Sequence, residues 1–259
     1  MDVGITAFAP DGKTLVYSTY LGGIQSEQPH SMMADNQGNL FIFGITSSVD
    51  FPVTSNAYDT TFNGGVPVSI ENLPFASGTD IFVSKLSPDG TNLEASTYFG
   101  GSDNDGVNSN LKIQYGDHSK GEIYLGGDKV YLSTSTKSVN IPLVNEYQST
   151  AGPAQNALFI RFTPDLSTLE WSTYFGGAGN QGGMGCKLNP VTGDMYFVGT
   201  TTTGAFVWPN TNSYGFTYFG GGKDGFIAAF DTATFSLKYG TYNGTADEDQ
   251  NYALDIDYE

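Results

Sequence analysis

Apolar and polar positions alternate along this chain in short bursts. In residues 15–23 (LVYSTYLGG), Leu15, Tyr17, Thr19 and Leu21 fall on one side and Val16, Ser18 and Tyr20 on the other, the period of a β-strand. The burst returns at 93–101 (LEASTYFGG) and 169–177 (LEWSTYFGG), and more weakly at 237–245 (LKYGTYNGT). Recurrence at roughly 70–80 residues marks a repeat architecture. The first three copies stop at Gly-Gly, which predicts a sharp turn with left-handed backbone at Gly22, Gly100 and Gly176.

A second alternating run precedes each copy, at 2–8 (DVGITAF), 80–86 (DIFVSKL), 156–162 (NALFIRF) and 224–230 (DGFIAAF). Between the two runs lie Pro10-Asp11-Gly12, Pro88-Asp89-Gly90, Pro164-Asp165, and Asp231 without a proline. Proline presets φ and Asp and Gly tolerate the bend, so each pair of runs predicts a hairpin. After each Gly-Gly come two more short apolar runs: 32–34 and 39–44, 111–115 and 122–126, 185–188 and 194–199. The unit therefore has four strands, A to D, with D the nine-residue burst. Length varies between B and C, over 45–79, 127–155 and 200–223. Setting those insertions aside leaves roughly 40–50 residues, the length of a four-stranded propeller blade.

The insertions share a pattern of their own. Asp50-Phe51-Pro52, Asn140-Ile141-Pro142 and Val207-Trp208-Pro209 are each followed by a tyrosine, Tyr58, Tyr147 or Tyr214. This predicts a loop that tucks an aromatic onto the blade edge. The expectation is an all-β arc of a β-propeller with about 15 strands. Residues 1–23 supply strands C and D of one blade, 24–101, 102–177 and 178–245 are full blades, and 246–259 opens another with a strand over 252–258. Such an arc does not close into a ring, and the remaining blades of a longer chain are its expected neighbours.

Three motifs carry a family resemblance: D-x-F-V-x-K-L-x-P-D-G over 80–90, S-T-Y-F-G-G over 96–101, and A-D-x-x-G-N-L-F-x-x-G-x-T-x-S-x-D-F-P-x-T over 34–54. The chain resembles the β-propeller repeats called SBBP repeats, found mostly in large bacterial surface and secreted proteins, many from gliding and type IX-secreting Bacteroidetes. The resemblance spans the whole chain and is most specific over 27–101. It is weakest in the last full unit, where Ala229 stands in the place of Lys85 and the proline after strand C is lost. It implies a propeller at the cell surface or outside it, and no reaction.

Charge narrows the partners. The net charge is −17, from 10 Lys+Arg against 27 Asp+Glu. With no basic stripe to displace counterions, nucleic acid is not an expected partner, and an anionic membrane surface repels the chain. No apolar run approaches the roughly 18 residues of a membrane span, so direct insertion is not expected either. A single cysteine, Cys186, excludes an internal disulfide and is expected buried on strand A.

One polar register recurs four residues after the second glycine: Glu27, Asp105, Gln181 and Asp249. Two readings fit it. A hard cation such as Ca²⁺ could sit on Asp103 and Asp105, or the side chains could cap the turn from D to the next A. His30 and His118 have no partnering H-x-x-H and are expected on the surface. No nucleophile elbow or phosphate loop occurs, so no catalytic residue is assigned. Aromatics of the insertions, Phe51, Tyr58, Ile141 beside Tyr147, and Phe206, Trp208, Tyr214 and Tyr218, are the candidate contact surface for a protein or glycan. The expected function is a non-catalytic scaffold or binding module. The rivals are an assembly component of a secretion or gliding machine and a glycan-cleaving propeller.

Overall fold

The computed structural model describes residues 1–111, 116–204, 206 and 217–257. Over these residues the chain is all-β, with one 3₁₀ turn and no α-helix. Strands β1 (Val3–Phe8) and β2 (Leu15–Leu21) pair as sheet I. Sheet II begins with β3 (Glu27–Ala34) and β4 (Leu40–Thr46). A long connection follows and carries its own hairpin of β5 (Val68–Ile70) and β6 (Leu73–Phe75). Sheet II is then completed by β7 (Asp80–Leu86) and β8 (Leu93–Phe99). Sheet III holds β9 (Glu122–Gly126), β10 (Lys129–Thr136), β11 (Asn156–Phe162) and β12 (Leu169–Phe175). Sheet IV holds β13 (Gln181–Leu188), β14 (Asp194–Thr201), β15 (Asp224–Asp231) and β16 (Leu237–Asn243). Each four-stranded sheet is an antiparallel meander in chain order.

Third and fourth strands fall where the alternation predicts them. All four hairpins carry the same bulge, with Val16, Glu94, Glu170 and Lys238 as the extra residue of the fourth strand. The first half of sheet III differs from expectation. Residues 122–126, expected as the second strand, form the first, and the second strand is Lys129–Thr136, inside the expected insertion. The turn responsible is Gly127-Asp128, with φ of 58° at both residues. Two consecutive left-handed residues make the two-residue turn whose twist suits a hairpin. Of the expected strand at 111–115, only Leu111 lies within the described residues, and it is not in a strand. Residues 252–257 do not pair as a strand either, and residue 258 lies outside the described residues.

A second bulge explains how sheet III lost its expected first strand. In β3, His30 has no residue opposite it; in β13, Met184 has none. Sheet III starts in the same register, with Asp105 opposite Thr136 and the Gly106 N–H donating to Ser135 O. The chain then leaves the sheet after Gly106 and, past the 3₁₀ turn Asp117–Ser119, re-enters with Glu122 opposite Ser133. The single bulged residue of the other sheets is here a whole excursion.

The sheets bury one another's faces. Val3, Ile5 and Leu21 of sheet I pack on Ile42, Phe82 and Tyr98 of sheet II. Phe43, Val83 and Phe99 of sheet II pack on Leu132, Leu158 and Phe162 of sheet III. Phe159, Trp171 and Phe175 of sheet III pack on Phe197, Phe226 and Phe230 of sheet IV. Each fully buried ring of this kind contributes about 1.5–3 kcal/mol relative to exposure. Ile70 and Phe75 of the small hairpin close over Ile45 and Val107.

Candidate functional site

The nine-residue burst is a clamp for the connecting loop of its own sheet. On β8, Ser96 Oγ donates to the Pro52 carbonyl at 2.7 Å, the Asp59 N–H donates to Thr97 Oγ1 at 2.9 Å, and Tyr98 OH donates to the Ser48 carbonyl at 2.8 Å. On β12, Ser172 Oγ donates to the Pro142 carbonyl at 2.6 Å, the Gln148 N–H donates to Thr173 Oγ1 at 2.8 Å, and Tyr174 OH donates to the Ser138 carbonyl at 3.1 Å. The loop so held runs along the outer edge of the fourth strand and covers it, which protects an otherwise open ladder. In sheet IV, Tyr242 OH accepts from the Phe206 N–H at 3.1 Å.

Gly-Gly is explained by crowding, and the expected left-handed backbone is absent: Gly22, Gly100 and Gly176 have no positive φ. A Cβ on Gly100 would lie 2.6 Å from Asp80 Oδ1 and 2.9 Å from Asp105 Oδ2; on Gly22 it would lie 2.6 Å from Glu27 Oε2. A Cβ on Gly101 would meet Ser138 Cβ at 2.6 Å and Asn140 Oδ1 at 2.7 Å. The second glycine thus makes room for Asn140, whose Oδ1 accepts from the Ser102 N–H at 2.9 Å, as Asp50 accepts from the Ile24 N–H at 3.0 Å.

The first glycine sits beneath a polar pair that repeats. The pairs are Asp2/Glu27, Asp80/Asp105, Asn156/Gln181 and Asp224/Asp249, flanking Gly22, Gly100, Gly176 and Gly244. In every pair the second residue donates its N–H to the carbonyl just before the first, those of Met1, Thr79, Gln155 and Lys223. Asp105 accepts from the Gly101 N–H at 2.7 Å, from Ser138 Oγ at 2.9 Å and from Thr136 Oγ1. Asp80 accepts from the N–H groups of Asn63 and Gly64 at 2.6 and 2.9 Å, which pins the middle of the long connection, ahead of its hairpin. Asn156 does the same for Gly152, and Asp224 for Phe219 and Gly220. Desolvation raises the Asp105 carboxyl to about 8 and the Asp80 carboxyl to about 7; it also raises Glu27 and Asp224.

These hydroxyl and amide donors are what the turn-capping reading of Asp105 requires. Asp103 points elsewhere, with its Oδ1 accepting from the Asn104 N–H at 2.7 Å. Among the described residues, no three His, Cys, Asp or Glu side chains gather as a metal site. The third pair, Asn156/Gln181, makes the same turn from neutral amides.

The candidate aromatics divide between packing and exposure. Phe51 and Ile141 are buried. Tyr58 packs at a tilt against Phe99 of its own sheet at 6.3 Å and Phe162 of the next at 5.8 Å; Tyr147 repeats this, tilted against Phe175 at 6.3 Å and edge-on to Phe230 at 5.5 Å. The loop tyrosine thus joins successive sheets. Phe206 stacks on Phe175 at 4.8 Å and Tyr218 meets Tyr242 edge-on at 5.7 Å. Trp208 and Tyr214 lie outside the described residues. Among the described residues, the large apolar side chains that the connections leave exposed are Val49, Val66, Val139, Phe219 and part of Tyr147.

The first strands converge at their bulges. His30, Met184 and Tyr252 hold the same register position, three residues after Glu27, Gln181 and Asp249. With Ser119, Lys120 and Glu122 they line a cavity of 250 Å³. His30, expected on the surface, is half-buried: its ring stands edge-on to Phe43 at 5.1 Å and desolvation lowers its pKa to about 3. The bulge turns the residue inward, which spacing alone does not reveal. Tyr252 OH donates to the Asp117 carboxylate at 3.1 Å, so the C-terminal segment fastens the excursion. Cys186 is buried on β13, as expected, with its thiol raised well above the ordinary value by desolvation.

Compared with known proteins, the chain matches no family model and no curated protein.

Proposed function

We propose that this chain is a non-catalytic β-propeller module of a bacterial cell-surface or secreted protein, a rigid scaffold whose connecting loops meet a protein or glycan. The carrying observation is where the repeated polar side chains go. Ser96, Thr97, Tyr98, Asp80 and Asp105, and their counterparts in sheet III, all hold loops to sheets. A repeat whose chemistry is committed to its own loops is an architectural device. Stacked four-stranded meanders of this length are the building blocks of propellers, and the setting follows from the resemblance to exported repeat proteins. Contact falls to what the loops leave outside, among the described residues Val49, Val66, Val139, Tyr147 and Phe219.

The same observation weighs against glycan cleavage. The carboxylate pair Asp80/Asp105 is wholly buried, and sheet III builds its counterpart from amides that cannot transfer a proton. The test is a glycan array and a surface-protein pull-down beside a polysaccharide hydrolysis panel. Saturable binding without sugar release is expected. Sugar release that disappears in Asp80→Asn or Asp105→Asn would overturn the reading.

A further inference from the structure

We infer that the cleft between sheets II and III, at their hairpin-turn end, binds a single sugar ring. The molecule supplies its own comparison. One cross-strand row of sheet II reads Met33, Phe41, Lys85 and Ala95. The same row of sheet III reads Tyr124, Tyr131, Arg161 and Trp171. Against sheet IV this second row fills its cleft. Arg161 pairs with Glu170 at 2.9 Å, donates from Nη1 to the Thr232 carbonyl at 2.8 Å and lies 4.5 Å over the Phe235 ring. Trp171 stacks on the same ring at 5.7 Å and is buried.

Against sheet III the first row leaves its cleft open. Ala95 stands in the place of Trp171, and Glu94, the counterpart of Glu170, is exposed. Lys85 lies 5.4 Å over Phe41 and forms no ion pair among the described residues. What remains is a cavity of 420 Å³, within the roughly 300–1,000 Å³ of small-molecule sites.

The lining selects the ligand. Its floor is apolar, made of Met33, Phe41, Leu125 and Val130. Its rim sets Lys85 and Lys129 against Asp35 and Asp128 and adds the amides of Asn36 and Gln37. Two of the four charges are already engaged. Asp35 accepts from the N–H groups of Gln37 and Asn39 at 2.9 and 2.8 Å, and Lys129 pairs with Glu170 at 2.6 Å. Balanced charge favours neither an anion nor a cation. An apolar floor under a polar rim fits a neutral ligand with one apolar face and a hydroxylated edge. A pyranose ring has both: its C–H face packs on the floor, and each hydroxyl donates and accepts at the rim. The Lys85 ammonium supplies a donor to one of them.

Saturation-transfer NMR tests this with the methyl β-glycosides of glucose, galactose and N-acetylglucosamine, beside benzoate and benzylamine as an anion and a cation of similar size. At least one glycoside should respond, and neither ion. Lys85→Met keeps the stem over Phe41 without the donors and should weaken binding about tenfold, the effect of one charged hydrogen bond. Phe41→Tyr, Lys85→Arg and Ala95→Trp together copy the row of sheet III into sheet II and should abolish it. Should that triple variant fail to fold, Lys85→Met decides alone, because its side chain is only half-buried and its loss should leave the melting temperature unchanged. Lys120→Met, outside the cavity, should bind as the parent does. No response from any glycoside, unchanged binding by Lys85→Met, or a stronger response from either ion would overturn the inference. The cavity lies at the opposite end of the strands from the long connections, so the loop contacts proposed above stand or fall separately. A sugar held by the loops would be lost in Val139→Ser and kept in Lys85→Met, the reverse of what the cavity requires.

Discussion

A single side-chain atom decides most of what is invariant in the nine-residue burst. Gly100 is needed because two carboxylates occupy the space of its Cβ, so the cost of a substitution is steric and does not depend on turn type. Gly100→Ala should destabilise by about 1–3 kcal/mol, the range for overpacking a filled site. Gly12→Ala faces open space and carries only its left-handed backbone, φ 67°, at a cost of about 1 kcal/mol. Urea melts of the two variants rank them; a larger loss for Gly12→Ala would mean that turn geometry governs after all. From sequence, the register Glu27, Asp105, Gln181 and Asp249 could be read because it follows Gly-Gly at fixed spacing. Its partners Asp2, Asp80, Asn156 and Asp224 could not, since each lies at the head of the earlier hairpin and reaches the turn only through folding.

At the scale of the element, strand and loop are one unit. Tyr174→Phe removes a hydroxyl that donates to the Ser138 carbonyl and accepts from the Ile141 N–H at 3.0 Å. Both groups are then left unpaired in a buried position, a loss of about 1–3 kcal/mol. The loop 141–150 should become the first site of cleavage by a non-specific protease. An unchanged digestion pattern and melt would show that Ser172 and Thr173 hold the loop unaided. The third and fourth strands were legible because their alternation is unbroken and a turn tripeptide joins them. The first half of sheet III was not, for two reasons of local chemistry. Its opening strand breaks off after Gly106 and resumes at Glu122, and Gly-Gly-Asp at 126–128 resembles a strand end more than a hairpin. The bulge itself leaves no trace in composition.

Across the whole molecule, buried acids couple stability to pH. An unfolded aspartate titrates near 4, but in the fold Asp80 does so at about 7 and Asp105 at about 8. Between those values the folded chain binds more protons than the unfolded one, so stability falls as pH rises. The contribution is fully present below about pH 4 and is lost as pH passes through 7 and 8. The melting temperature should drop from pH 5.5 to pH 8.5 by more than in Asp105→Asn, which keeps an acceptor there without the charge. A melting temperature that rises over this interval would contradict the burial of these groups. The stacked sheets were legible from the repeat, whereas the difference between their clefts emerges only when Lys85 and Ala95 are set beside Arg161 and Trp171.

The break in pairing between Gly106 and Glu122 has a further consequence. Asp105 opposite Thr136 and Glu122 opposite Ser133 match Glu27 opposite Thr46 and Ser31 opposite Phe43 in sheet II, and Gln181 opposite Thr201 and Gly185 opposite Val198 in sheet IV. Additional chain has therefore been spliced into the middle of a strand without moving either flank out of register. The bulge is a graft point, and it delivers whatever is grafted to the place where the first strands meet. Sheets II and IV keep theirs unused, so a peptide inserted after His30 or Met184 would arrive at the same address from a different side.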